Sequence, residues 1–388
     1  LEVEAKSAQG ALSRTPAVFG FRVVPPFYMT WWFRLGSLGL ALGLVVSGVR
    51  ARLASLREKN RALEARVAER TQELRERLEE VAQKNAELAR KNAQLAASQE
   101  RADRIFTALA DALPGTVIDD KYRLDERIGA GGNGVVFRAA HLTLGRAMAV
   151  KIFRPMPGND SAESLERFRN EGNAASRIAH PNAVQVFDAG ISSDGLAYLV
   201  MELLEGRTLA EELMETRVLS LPRARLVLES VARVLAAAHA LGVVHRDIKP
   251  ENVFLHRGAG ADEVVKVVDF GIAKLLDEGA EGLTGEGALL GTPAYMAPER
   301  FGGEDVGPAA DVYALGVLAF RLLTGRVPFE GSIAEVVSAH LSAAPPSLAS
   351  LRRDAPPALV ELVMACLAKE PEARPAADAL AQALAVLP

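Results

Sequence analysis

The sequence predicts an α+β chain in which a membrane-crossing helix and a long coiled-coil helix precede a globular module of strands and helices. Three observations carry this. Phe27 to Val49 is a run of 23 residues with one charge, Arg34. As a helix it spans about 34 Å, enough for a hydrocarbon core of roughly 30 Å. From Arg50 to Ala112 there is no Gly or Pro, and Ala, Glu, Arg, Leu and Gln, all strong helix formers, dominate. From Lys121 the pattern changes to strand, turn, strand in KYRLDERIGAGGNGVVFRA, and RAMAVKIF continues it.

With 388 residues and 49% hydrophobic content the chain has material for two or three modules and a sizeable core. A net charge of −4 gives no global attraction to nucleic acid, and none is expected as a partner. The single cysteine, Cys366, excludes an intramolecular disulfide. It stands in the apolar helical pattern LVMACLAKE and reads as a small buried residue. The first residue is Leu rather than Met, so the chain is expected to be a piece of a longer protein.

In order, residues 1–26 are mixed in polarity, and FRVV from Phe21 to Val24 reads as a strand that Pro25 and Pro26 stop. Phe27, Tyr28, Trp31, Trp32 and Phe33 open the apolar run as an interfacial belt, towards which Arg34 snorkels. Arg50, Arg52, Arg57, Lys59 and Arg61 follow the run, which by the positive-inside rule puts its C-terminal side in the cytoplasm.

Along residues 50–112, Leu53, Leu56, Asn60, Leu63 and Val67, then Thr71, Leu74, Leu78, Val81, Asn85, Leu88, Asn92 and Leu95, recur with alternating spacings of three and four. Two successive steps of four between the blocks make a stutter. Asn60, Asn85 and Asn92 fall at seam positions, where a buried amide favours a defined register and a parallel dimer. A homodimer through residues 50–112 is therefore expected. FRVVPPFYMTWWF, the apolar run and NRALEARVAERTQEL together resemble bacterial transmembrane sensors with a periplasmic propeller, many of which continue into a histidine kinase. The resemblance implies that residues 1–26 are the end of an extracytoplasmic β-sandwich and that the chain crosses the inner membrane once. All six His residues lie at or beyond His141, so the helical linker carries no phosphoacceptor His.

Beyond Pro114 and Gly115, which break the helix, Gly129, Gly131 and Gly134 form G-x-G-x-x-G, followed by Val136. Glycines there let backbone amides approach phosphate oxygens. A dinucleotide site needs a helix directly after the glycines, whereas strands follow here. Lys151 comes 17 residues after Gly134, and Glu171 lies 20 further on in a helical stretch; a strand lysine paired with a helix glutamate positions the α- and β-phosphates of a nucleotide. VVHRDIKPEN, Val243 to Asn252, places Asp247, Lys249 and Asn252 on one segment. These suit phosphoryl transfer, with Asp247 accepting the hydroxyl proton and Asn252 holding a magnesium ion. Asp269, Phe270 and Gly271 form DFG, its Asp a second magnesium ligand, and Ala297, Pro298 and Glu299 form APE.

By the order and spacing of these motifs, residues 122–387 resemble a bacterial protein Ser/Thr kinase of the eukaryotic type. The resemblance implies the two-lobed protein kinase fold, an antiparallel β N-lobe with one helix and a mainly helical C-lobe, joined by residues 113–121 to the coiled coil. It implies ATP and Mg²⁺ as cofactors, protein substrates, and an adenine-binding hinge at Glu202 and Leu204 beside Met201. It gives Asp311 a structural role and pairs Arg374 with Glu299. Lys249, two residues after Asp247, and Thr292 in GTPAYMAPE match the serine/threonine branch. Asn133, at the glycine-loop tip, departs from the aromatic or Met frequent there. Between Gly271 and Gly291 the sole hydroxyl residue is Thr284, the candidate for activating phosphorylation. The alternative is an ATP-binding pseudokinase scaffold, yet Lys151, Asp247 and Asp269 are all present.

Overall fold

The computed structural model describes residues 2–3, 17–18, 27–29, 31–131, 134–154, 162–258, 262–270, 293–302 and 306–387. The strand expected at Phe21 to Val24 lies outside them, as do Asn133, Gly271, Thr284 and Thr292. The chain divides into two compact units, Leu1–Leu95 and Ala96–Pro388.

In the first unit Glu2–Val3 pairs antiparallel with Ala17–Val18. A 3-10 turn, Phe27–Met29, precedes helix α1, Trp31–Ala112, so the helix begins four residues after the expected start of the apolar run. Among the described helices α1 alone is long and apolar enough to cross a membrane, by length and composition. The seam residues Leu53, Leu56, Leu63, Val67, Leu74, Leu78, Val81 and Leu88 are exposed. The polar faces carry acid-to-base pairs one turn apart, Glu73 to Arg77 at 2.9 Å, Glu80 to Lys84 at 2.8 Å and Glu87 to Lys91 at 2.7 Å. That order suits the helix dipole, and each exposed pair contributes little to stability.

The second unit starts inside α1. Phe106 and Ala110 are buried, and with Leu113 they join the core of the following sheet. Residues 113–121, expected as a linker, are structured. Gly115 turns the chain at φ 87°, and β1, Val117–Ile118, pairs antiparallel with β2, Tyr122–Gly131. Asp119 and Asp120, both left-handed at φ 49° and 55°, are the central residues of the turn closed by Lys121 N–H donating to Ile118 O at 3.0 Å, in a three-residue connection, 119–121. Asp tolerates this conformation because its short side chain bonds locally, but without a following Gly the turn has no strong sequence sign.

The sheet continues through β3, Gly134–His141, β4, Ala147–Phe153, β5, Val186–Ile191, and β6, Ala197–Met201, in the order β1-β2-β3-β4-β6-β5. All pairings are antiparallel. One face is a core of Leu124, Val135, Phe137, Ala139, Met148, Val150, Ile152, Tyr198 and Val200. Helix α2, Ala162–Ser176, packs on β5. Gly172 makes this approach possible, since a Cβ there would lie 2.3 Å from the Cβ of Ala189.

A second, mainly helical lobe follows β7, Gly206–Thr208. Helix α3, Leu209–Thr216, opens with a capping box of Thr208 and Glu211, and α4 is Leu221–Ala240. Strands β8, Val253–Arg257, and β9, Glu263–Val267, form a hairpin beside β7. Helix α5, Ala309–Thr324, is apolar on nearly all sides and buried over 13 of its 16 residues, as a central core helix must be. It is surrounded by α4, by α7, Pro357–Cys366, and by the segment 293–295; α6, Ile333–Ser342, and α8, Ala377–Val386, complete the lobe. Cys366 is 2% exposed, and burial pushes its thiol up to about 12, in keeping with a packing role.

Candidate active site

The β8–β9 hairpin assembles the centre. Its register sets Val253 opposite Val267, so the residues just outside it, Asn252 and Val268, stand side by side, and Val268 N–H donates to Asn252 O at 3.0 Å. Asp247 lies five residues before Asn252, and Asp269 follows Val268. Residues distant in sequence thereby converge for a local reason, the closure of one antiparallel pair.

Asn252, 6% exposed, donates its amide Nδ2 to both the Asp247 carbonyl and Asp247 Oδ2, each at 2.8 Å. Lys249 Nζ reaches the same Oδ2 at 2.9 Å. Asp247 is thus oriented by a neutral donor and a cation, both from its own segment.

Two residues here have the left-handed backbone that bulky side chains avoid, Arg246 at φ 64° and Asp269 at φ 59°. The surroundings hold both. Asp311, 1% exposed at the first turn of α5, accepts from the backbone N–H of His245 and of Arg246, each at 2.7 Å, and lies 2.9 Å from His239 Nε2. Arg300 donates to Arg246 O at 2.7 Å. His245 is fully buried, 3.0 Å from Val268 O through Nε2, and accepts Asp247 N–H on Nδ1 at 3.3 Å. That pattern is the neutral tautomer with the proton on Nε2, and burial lowers the His245 pKa. Its ring lies 4.7 Å from that of Phe270.

Lys151, 7% exposed on β4, forms an ion pair with Asp269 Oδ2 at 2.7 Å. Strand alternation puts Ala149 on the same face as Lys151, and Val150 and Ile152 on the other. Val136 on β3 is the register partner of Lys151. Gly129 and Gly131 close β2 and Gly134 opens β3. A Cβ at Gly134 would lie 2.2 Å from Ile152 O, so this glycine is required by the approach of β4, while around Gly131 the space is open. Glu171 is half-buried on α2.

A separate small apolar cluster unites Ala149, Val184 and Met201 with the half-buried Val136, Leu203, Leu204 and Val268. It is an apolar cluster next to polar groups, the composition that suits a purine ring. Glu202 enters the hinge differently from Leu204. Its Oε1 accepts from Lys266 Nζ at 2.6 Å and from Gln185 N–H at 2.8 Å, and its own N–H donates to Gln185 O at 2.9 Å, so of its main-chain groups the carbonyl is the one left for a base. Among the described residues no hydrogen bond uses the main-chain groups of Leu204. Sequence reasoning missed Ala149, Val184, Val268 and Lys266. For Ala149 a signal was present, since it stands two residues before Lys151 and shares its strand face.

Asp269 Oδ1 and Asn252 Oδ1 have no hydrogen bond among the described residues. A carboxylate and an amide oxygen are hard donors that fit a small divalent cation rather than a soft metal. The wall behind Asp247 is also fixed. Arg374 makes a bidentate pair with Glu299 at 2.7 and 2.9 Å and donates to three backbone carbonyls, bracing the segment just before α5 as its expected pairing requires.

Comparison with known proteins gives a concordant picture. The family model described as protein kinase domain matches residues 122–384. Serine/threonine-protein kinase pkn3 of Myxococcus xanthus is 39% identical over 271 residues, covering 69% of this chain and 49% of the relative. Serine/threonine-protein kinase PknA of Mycobacterium tuberculosis is 40% identical over 277 residues, covering 69% and 62%. The crystal structure of the Mycobacterium tuberculosis PknI kinase domain superposes with a TM-score of 0.57 at 27% identity, over 70% of this chain and 97% of that one. The chain spans about half the length of the first of these curated relatives.

Proposed function

The chain belongs to the protein kinase family, and from that premise we propose that it transfers the γ-phosphate of ATP to serine or threonine hydroxyls of proteins. The observation that carries this reading is the Asp247 carboxylate, held by Asn252 and Lys249 within one segment whose end is bonded to the segment of Asp269. Asp247 orients the acceptor hydroxyl and takes its proton. Lys249, already paired with that carboxylate, sits on the side where negative charge gathers. Lys151 fixes the phosphates, the apolar cluster around Ala149 and Met201 takes the adenine, and the main chain of Glu202 and Leu204 reads its edge. Protein kinases use ATP and a divalent metal; Asp269 and Asn252 would hold magnesium, which when bound offsets the phosphate charge.

We also propose that the kinase is anchored in the inner membrane by the first part of α1, with the kinase domain in the cytoplasm, and is regulated by an extracytoplasmic sensor through a parallel dimer of residues 50–112. The apolar length of α1, the basic residues after Val49 and the exposed heptad seam support this. Thr284 remains the proposed autophosphorylation site.

Asp247→Asn should lower phosphate transfer to a generic protein substrate by a factor of about 10² to 10⁴ while binding of a non-hydrolysable ATP analogue persists. Lys151→Met should weaken both. Wild-type-like turnover in either variant overturns the assignment, and analogue binding without transfer in the unmodified chain would favour the scaffold reading.

A further inference from the structure

Helix α1 ends on the sheet with contacts that go beyond packing. Phe106 and Ala110, four residues apart and so on one helix face, are buried with Val150 and Ile152. Arg154, just past the end of β4, donates to Asp103, and its guanidinium lies 5.4 Å from the centre of the Phe106 ring. Nε of Arg154 is buried with no hydrogen-bond partner among the described residues, and among them Asp103 is the acceptor given for this guanidinium. One residue before the helix ends, Asp111 accepts from Arg127 at 2.8 Å.

The two arginines stand next to the nucleotide-binding residues. Arg127 is two residues before Gly129 on β2, and Arg154 is three residues after Lys151. Both strands pair with β3 and neither pairs with the other, so nothing within the sheet links the glycine strand directly to the lysine strand. The helix end does so from the face opposite Lys151, the face into which Ile152 points.

We propose that the C-terminal turns of α1 are a strap for nucleotide binding: Asp103 through Arg154, and Asp111 through Arg127, hold the lysine strand and the glycine strand at the spacing that ATP requires. The proposal rests on the kinase reading and deepens it, assigning Asp103, Asp111 and Phe106 as positioning residues and the helix end as the point where a signal reaches the site. The Asp103–Arg154 pair is half-buried and the Asp111–Arg127 pair exposed, so their contribution to stability is small; their effect is on geometry. Displacing the helix end releases Arg154 and Arg127 together, and with them the alignment of Lys151 against the glycines.

The test uses the detergent-solubilised full chain carrying Asp103→Arg, Arg154→Asp, or both exchanged. Calorimetry measures binding of a non-hydrolysable ATP analogue, and kinetics separate KM for ATP, KM for protein substrate and kcat. Each single variant should weaken analogue binding and raise KM for ATP about fivefold, with kcat at saturating ATP changed less than about twofold and the protein-substrate KM unchanged. The double exchange, which restores opposite charges, should recover most of the binding. Unaltered analogue binding in both single variants overturns the strap. So does a joint fall in affinity, kcat and melting temperature that the exchange leaves unrepaired, which marks a merely structural role. An unmodified chain that fails to bind the analogue removes the kinase reading itself, so the two failures are told apart.

Discussion

Two histidines show how much single residues contribute here. His245 and His340 are both fully buried, and both are held neutral by burial. Around His340 stand the Tyr313 hydroxyl, 2.8 Å from Nδ1, the rings of Phe301 and Phe329, and Lys369, whose ammonium donates to the His340 carbonyl at 2.7 Å. Desolvation first, and the Lys369 charge second, lower the His340 pKa from its ordinary 6.5 to about 4. The unfolded chain therefore binds a proton that the folded chain refuses. Stability from His340 is complete above about pH 6.5 and is lost as pH falls towards about 4, by at most about 1.4 kcal/mol per pH unit. Urea unfolding at pH 7.5 and at pH 5.0 should show a loss of about 1 to 2 kcal/mol on acidification, and His340→Gln should shrink that difference. An equal loss in the variant would mean that other groups, such as paired carboxylates, account for it. Neither histidine was legible as buried from sequence, because burial of a polar side chain follows from partners such as Tyr313, 27 residues away.

At the level of elements, the motifs were legible and their support was not. Gly129, Gly131, Lys151, Asp247, Asn252 and Asp269 could be found from spacing alone, because phosphate chemistry dictates residue type and short offsets. The hairpin turn at Asp119 and Asp120 and the docking of Phe106 were hidden. The seam pattern runs in two blocks from Leu53 to Leu95, tertiary contacts claim the last turns of α1, and an apolar helix residue looks the same whether it faces a partner helix or a sheet. Close element packing was equally hidden. Gly316 in α5 leaves room for α7, and a Cβ there would lie 2.7 Å from the Cβ of Cys366 and 3.2 Å from Leu367 Cδ2. Gly316→Ala gains helix propensity yet should cost about 1 to 3 kcal/mol net through overpacking. A thermal melt reads this as a drop of several degrees, and an unchanged melting temperature would show that α7 slides aside freely.

For the whole molecule, the proposed dimer makes the most direct claim. Asn85 and Asn92 lie on the exposed seam of α1 with Leu78, Val81 and Leu88. Replacing both with Leu should strengthen association of a peptide spanning residues 50–112 while broadening its oligomer distribution, because the amides limit stability in exchange for register. Analytical ultracentrifugation measures both, and a monomeric peptide in either form would argue against dimerisation. Asp311 bears on a different timescale, that of synthesis. The loop that carries Asp247 owes its backbone conformation to a carboxylate 66 residues downstream of His245, so the loop's own sequence is insufficient to shape it. A ribosome adding about 5 to 20 residues per second has completed the segments of Gly129 to Gly134, Lys151, Asp247 and Asp269 seconds before Asp311 emerges from its tunnel. During that interval Asp247 has no scaffold, and on the proposed kinase reading the chain is silent towards substrates until its helical lobe closes around α5.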